Sequence, residues 1–154
     1  MTSLPTLLHG DYTVGWICAL PSEMAAARAM LDEHHNPLQQ NSRDHNTYTL
    51  GRIGRHNVVL ACLPTGVIGT LSAARVANQM LQTFEGIRFG LMVGIGGGVP
   101  SEENDIRLGD IVVSKPKGQF GGVTMGEIEL KDTSIFRGIQ IRRIQYTYFL
   151  YILE

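Results

Sequence analysis

The sequence is poor in cysteine, in surplus charge and in long apolar runs. It has 2 cysteines in 154 residues. A disulfide-stapled scaffold would be denser in cysteine, and without a C-x-x-C pair there is no zinc-type spacing. Cys18 lies in WICAL and Cys62 in VLACL, so both are expected as buried free thiols. With 13 Lys+Arg against 14 Asp+Glu, the net charge is −1. Neutralising phosphates takes clustered positive charge, so no nucleic-acid partner is expected. The start, MTSLPTLLHGD, has no basic segment and no sustained apolar core, so no secretory signal is expected. The apolar stretches fall far short of the ~20 residues a membrane helix needs. No membrane partner is expected, and the expected compartment is the cytoplasm. His9, His34, His35, His45 and His56 fall at polar, loop-like positions without metal-ligand spacing and are expected in solvent, as are Arg75 and Arg107.

Glycine, by contrast, is plentiful. The chain has 18, and 10 of them fall between Gly86 and Gly122. Some part of that segment needs bare backbone. The length suits one globular domain, able to bury roughly 68–70% of its unfolded surface.

Along the chain, residues 1–10 read as a leader. Tyr12 to Leu20 (YTVGWICAL) reads as a buried strand. Pro21-Ser22-Glu23 stops it, with Ser22 as expected N-cap of a helix over EMAAARAML that ends near Pro37. Met24, Ala27, Met30 and Leu31 share its apolar face. Residues 47–53 and 57–63 read as a hairpin about Gly54-Arg55-His56. Residues 70–84 read as a second helix, with Leu71, Ala74, Ala77, Met80 and Leu81 on one face. Residues 87–95 and 109–114 read as further strands. The alternation predicts an α/β fold, a central sheet flanked by helices.

In such sheets ligands gather at the carboxyl ends of strands. Three features fall there. Glu23 is a carboxylate in the first turn after a strand, where it suits acid–base work on water or a sugar hydroxyl, or simply the helix dipole. Thr65-Gly66-Val67-Ile68-Gly69 leads into a helix, either to hold a polar ligand or as an ordinary turn. Gly94-Ile95-Gly96-Gly97-Gly98 ends a strand, but Val99-Pro100-Ser101 follows instead of a helix. A dinucleotide fingerprint is therefore disfavoured, and no Gly-Lys-Ser/Thr exists for a Walker loop. A bare wall against a flat ligand and a tight turn both remain open.

Three segments together resemble the nucleoside phosphorylase/nucleosidase superfamily: DYTVGWICALPSEMAAARAML (11–31), NTYTLGRIGRHNVVLACLPTGVIGTLSAARVANQML (46–81) and IRFGLMVGIGGGVPSEENDIRLGDIVVSKP (87–116). The look is that of its fungal branch, in which such a domain commonly heads larger proteins with NTPase or repeat modules. The resemblance implies a central mixed sheet with a nucleoside cleft at the strand ends. Glu23 aligns with the glutamate that methylthioadenosine/adenosylhomocysteine nucleosidases use on the attacking water. Ile68 falls in the loop beside the sugar. Ile95, Gly96 and Gly97 align with the backbone along the ribose and base. A purine nucleoside or nucleotide is the implied ligand, with no cofactor, and a homo-oligomer is expected.

Two departures bear on the reaction. Met92 and Ile95 stand where hexameric-type purine phosphorylases carry a phosphate-holding Arg and a Ser, and the Gly-Asp-Pro-x-x-Arg phosphate loop is missing. Phosphate would matter only to a phosphorylase, so hydrolysis is favoured. KGQFGGV (117–123) still fits the family, whereas the sequence from Thr124 onward does not. No ribose-binding Met-Glu pair is found there, and Glu127, Glu129 and Asp132 stand in no recognisable context for the purine-protonating acid. Residues 11–123 are therefore expected to be the front of a truncated family domain, and 124–154 a divergent tail whose IQYTYFLYIL has high β-propensity. The alternative to an enzyme is a catalytically incomplete module that binds a nucleoside or serves assembly.

Overall fold

The structure, a computed structural model, describes residues 4–67, 69–97, 105, 107, 109–113 and 146–153. The chain divides into two compact units, Met1–Gly94 with Ile152–Glu154, and Ile95–Tyr151. The boundary expected at 123/124 lies outside the described residues.

The first unit is built on a mixed sheet with strand order β2-β3-β4-β1-β5. Its strands are β1 (Val14–Cys18), β2 (Glu33–His34), β3 (Tyr48–Ile53), β4 (His56–Cys62) and β5 (Phe89–Gly97), the last running on past the unit's edge. β1 lies between β4 and β5 and is parallel to both, while β3 runs antiparallel to β4 and β2 to β3. Two helices complete the unit, α1 (Pro21–Ala29) and α2 (Thr70–Thr83).

The side chains of β4 alternate between two cores. Val59 and Ala61 face Val76 and Met80 of α2, together with Tyr12, Ile17, Leu50 and Phe84. Val58 and Leu60 face the other way, toward Cys18 and Ala27 of α1. A strand covered on both faces needs apolar residues at successive positions, and VVLA supplies them. The central mixed sheet flanked by helices is the fold class expected from the sequence.

Several local expectations are corrected. Leu20, not Ser22, is the N-cap of α1, and Pro21 opens the helix. Proline suits that position, since its missing N–H would have no intrahelical partner. The helix stops at Ala29, because Glu33 and His34 leave it to pair with Arg52 and Gly51 of β3. Its expected apolar stripe is not buried as a whole: Ala27 is buried, but Met30 is 57% exposed. On α2 the buried stripe is Val76 and Met80, continued by Phe84, while Leu71 and Leu81 are exposed. Phe84 decides this orientation. Its ring is wedged edge-on between Tyr12 and Tyr48, with centroids at 5.5 and 5.1 Å.

The described part of the leader is tied down. Asn36 donates from its backbone N to the Pro5 carbonyl and from Nδ2 to the Leu4 carbonyl and the Thr6 hydroxyl. His35 is not a solvated histidine. It is buried, its Nδ1 lies 3.0 Å from the Tyr12 hydroxyl, and burial pushes its pKa down against the opposing pull of Glu33.

β6 (Ile111–Val113) and β7 (Tyr146–Leu153) pair in parallel, with Val112 opposite Phe149; β6 and residues 146–151 of β7 belong to the second unit. The β-rich end of the tail thus forms a strand.

Candidate functional site

Because β1, β4 and β5 are parallel, their carboxyl ends share one edge of the sheet. Cys18 and Cys62 mark it on β1 and β4, in register with each other. The chain leaves β1 through Ala19 and Leu20 and turns at Pro21 into α1, which carries Glu23 back over this edge as the third residue of the helix.

Glu23 is 7% exposed. Its Oε2 accepts the backbone N–H groups of Ala19 and Leu20, each at 2.9 Å. The side chain thus reaches back to the N-cap backbone, as a glutamate at the third helical position does in a capping box. Its other oxygen faces β5. A Cβ built on Gly94 would stand 3.0 Å from Glu23 Oε1. Carboxylate and strand backbone therefore meet with no side chain between them.

The two cysteines lie close enough to feel this charge. Burial pushes the Cys18 thiol up to about 12; the Trp16 indole works against the rise, and the charges of Cys62 and Glu23 add to it. Cys62 is pushed up as well, first by burial and then by Glu23. Both are free thiols, Cys18 fully buried and Cys62 half-buried. Neither is poised as a nucleophile, because the thiolate is the reactive form.

A cavity of about 560 Å³ opens beside the ends of β1 and β4. Pro21, Met24 and Arg28 of α1 form one wall, and Cys62, Pro64 and Thr65 another. Thr65 begins the turn into α2, where Gly66 and Gly69 take φ of +80° and +107°, the left-handed range that glycine enters without strain. A larger cavity of about 670 Å³ lies between the 39–44 loop and α2 and touches none of the candidate residues.

Of the residues expected at the site, Glu23 stands at the shared strand end, with Gly94 against it. Ile95, Gly96 and Gly97 are the last residues of β5 and belong to the second unit. Ile68 lies outside the described residues. Gly94 stands at the head of the glycine loop read from the sequence but is not among the residues expected to bind. Its place at the head of the glycine run was visible, but its nearness to a carboxylate 71 positions earlier depends on β1 and β5 being neighbours. Met92, which the resemblance aligns with the phosphate-holding arginine of phosphorylases, packs against the core. Among the described residues, no group of three or more His, Cys, Asp or Glu side chains could hold a metal ion. No helix among them is long and apolar enough to cross a membrane.

Comparison with known proteins agrees with this reading of the fold. The chain is 34% identical over 104 residues to the 5'-methylthioadenosine/S-adenosylhomocysteine nucleosidases of Mycobacterium bovis and Mycobacterium tuberculosis, covering 66% of this chain and 36% of theirs. It is 55% identical over 134 residues to a nucleotide-binding leucine-rich repeat (NLR)-like protein of Hyaloscypha variabilis, covering 86% of this chain and 13% of that protein. The chain therefore spans about an eighth to a third of the length of these relatives. The solved structure of Streptococcus pneumoniae MTA/SAH nucleosidase in complex with 8-aminoadenine aligns at 22% identity and a TM-score of 0.45, over 87% of this chain and 52% of that one. No family model matches the chain. The sequence similarity and the mixed sheet together define a nucleoside phosphorylase/nucleosidase-like α/β fold.

Proposed function

We propose that this chain contributes the water-activating part of a nucleosidase-like domain, one that cleaves the N-glycosidic bond of a purine nucleoside or nucleotide by hydrolysis. The observation that carries the reading is Glu23: a buried carboxylate at the carboxyl ends of parallel strands, pinned through Oε2 by two backbone N–H groups. A carboxylate fixed in this way can orient a water and draw off its proton. The glycosidic bond breaks toward an oxocarbenium-like sugar, and the water adds to the opposite face. The departing purine must gain a proton, because it leaves poorly as an anion. Following the resemblance, Ile95, Gly96 and Gly97 line the ribose and base, and Ile68 flanks the sugar. Water is favoured over phosphate as the nucleophile because Met92 is a partly buried apolar residue packed against the core, with no side-chain group to hold phosphate. A homo-oligomer belongs to the same proposal, and the free thiols suit a reducing compartment such as the cytoplasm.

A second reading, a binding or assembly module without turnover, is favoured by one observation. From Thr124 onward the sequence carries neither a ribose-binding Met-Glu pair nor a recognisable acid for the leaving group. The two readings part in one experiment. The chain is incubated with methylthioadenosine, adenosine, inosine or ATP, with and without phosphate, and free base is measured by chromatography. Base release independent of phosphate supports the hydrolase. Saturable binding without release supports the module, and release only with phosphate overturns hydrolysis.

A further inference from the structure

We propose that Gly94 is a positioning residue for Glu23: the missing side chain at this point of β5 sets where the carboxylate stands. The inference deepens the proposed function and rests on it for its catalytic consequence, though not for its geometry.

Glu23 Oε2 is held by the N–H groups of Ala19 and Leu20. The backbone of β5 bounds the carboxylate on the side of Oε1. A Cβ at position 94 would come within 3.0 Å of Oε1 and 3.5 Å of the carboxyl carbon. Nonbonded heavy atoms rest comfortably at about 3.5–4.0 Å, so any side chain at 94 forces something to give.

The strand is poorly placed to yield. Two residues before Gly94, Met92 pairs with Ile17 of β1 and packs against the core. The helix is equally committed, since Ala27, one turn beyond Glu23, is buried against Cys18 and Leu60. The carboxylate must then shift, at the expense of the hydrogen bonds that hold it. Gly94 is not among the glycines with positive φ, so alanine there meets no backbone strain. Gly94→Ala is therefore expected to fold while displacing the one group on which the proposed chemistry depends. A contact of 3.0 Å asks the carboxylate to give by a few tenths of an ångström, and since a misplacement of about 1 Å at a reacting group can cost roughly 100-fold in rate, a severalfold loss follows.

The test combines Gly94→Ala, Glu23→Asp and the double variant in the full chain. The first readout needs no substrate: the amide proton shifts of Ala19 and Leu20, by NMR. Gly94→Ala should move both shifts while leaving the melting temperature close to that of the parent. The second readout is base release. Gly94→Ala should lower kcat by about threefold or more with little change in KM. In the double variant the shorter carboxylate makes room for the new methyl group, so the loss should be smaller than the two single losses combined. Unchanged amide shifts in Gly94→Ala would overturn the proposal, as would strict additivity in an active protein. If Gly94→Ala does not fold, the double variant must fold for the proposal to stand. If the parent chain releases no base while Gly94→Ala still moves the amide shifts, the positioning role holds and the hydrolase reading fails.

Discussion

Glu23 caps α1 and is proposed to act on water, and replacing it in two ways tells the two roles apart. A hydrogen bond to a charged group is worth about 1.5–3 kcal/mol net, and Oε2 accepts two. Leu20 is 46% exposed, so water takes over part of the bonding when the acceptor is lost, and the lower end of that range applies. Glu23→Ala should then destabilise the fold by about 3 kcal/mol. Glu23→Gln keeps an amide oxygen within reach of both N–H groups. It loses the charge on those bonds and the attraction to the N-terminus of α1, the latter about 0.3–1 kcal/mol. About 1.5 kcal/mol is expected for this variant. For a domain of this size 1 kcal/mol shifts the melting temperature by roughly 2–4 °C, so the Gln variant should melt roughly 3–6 °C lower and the Ala variant about twice that. Activity should not follow this ladder. General-base assistance contributes about 10²–10⁴-fold, and an amide supplies no more of it than a methyl group. Both variants should therefore lose base release to a similar, large extent, measured below either melting point. Activity that declines in step with stability, with Glu23→Gln keeping most of the parent rate, would refute the reasoning and leave Glu23 as a helix cap alone.

Three further outcomes follow from the first unit. Phe84 is 1% exposed and wedged between Tyr12 and Tyr48, so Phe84→Ala should cost about 3–5 kcal/mol in urea unfolding, and a loss below about 1 kcal/mol would contradict this packing. His35 is held neutral by burial, with its folded pKa below the ordinary value, so the unfolded chain takes up the proton first as pH falls. Stability should be fully present above about pH 6.5 and decline below it, and His35→Phe should flatten that decline in melting curves taken between pH 7.5 and 5. Burial pushes the Cys18 thiol to about 12, while Cys62 is only half-buried, so iodoacetamide at pH 8 should label Cys62 first, and equal rates would rule this out.

Elements with an unambiguous period were legible in the sequence. β4 was readable because VVLA is apolar at every position, as a strand covered on both faces requires. The span of α2 was readable from its strong helix formers, but its orientation was not. Leu71 and Leu81 are as apolar as Val76 and Met80, and only the aromatic wedge around Phe84 decides which stripe turns inward. The early end of α1 was hidden for a similar reason. Residues 30–34 do not oppose a helix, and the strand they join is specified by partners at Gly51 and Arg52. His35 read as a solvated residue because its neighbours in sequence are polar, whereas the neighbour that matters is Tyr12.

The legibility of the site divides along the same line. Local chemistry was visible: a carboxylate three residues into a helix that follows a strand, and a glycine run at the end of another strand. Either feature alone fits a plain structural role, and for Glu23 that role is real, since it does cap α1. The two roles do not compete. Pinning Oε2 to the N-cap backbone is what gives the carboxylate a fixed place, and a catalytic base needs one. What the sequence could not supply is the partner that limits the other oxygen. Glu23 and Gly94, 71 residues apart in the chain, meet only because β1 takes β5 as its parallel neighbour. A capping glutamate facing any side chain at 94 would still cap the helix. Only a bare backbone there leaves the carboxylate where these hydrogen bonds put it, so the glycine is the feature that separates a site from a cap.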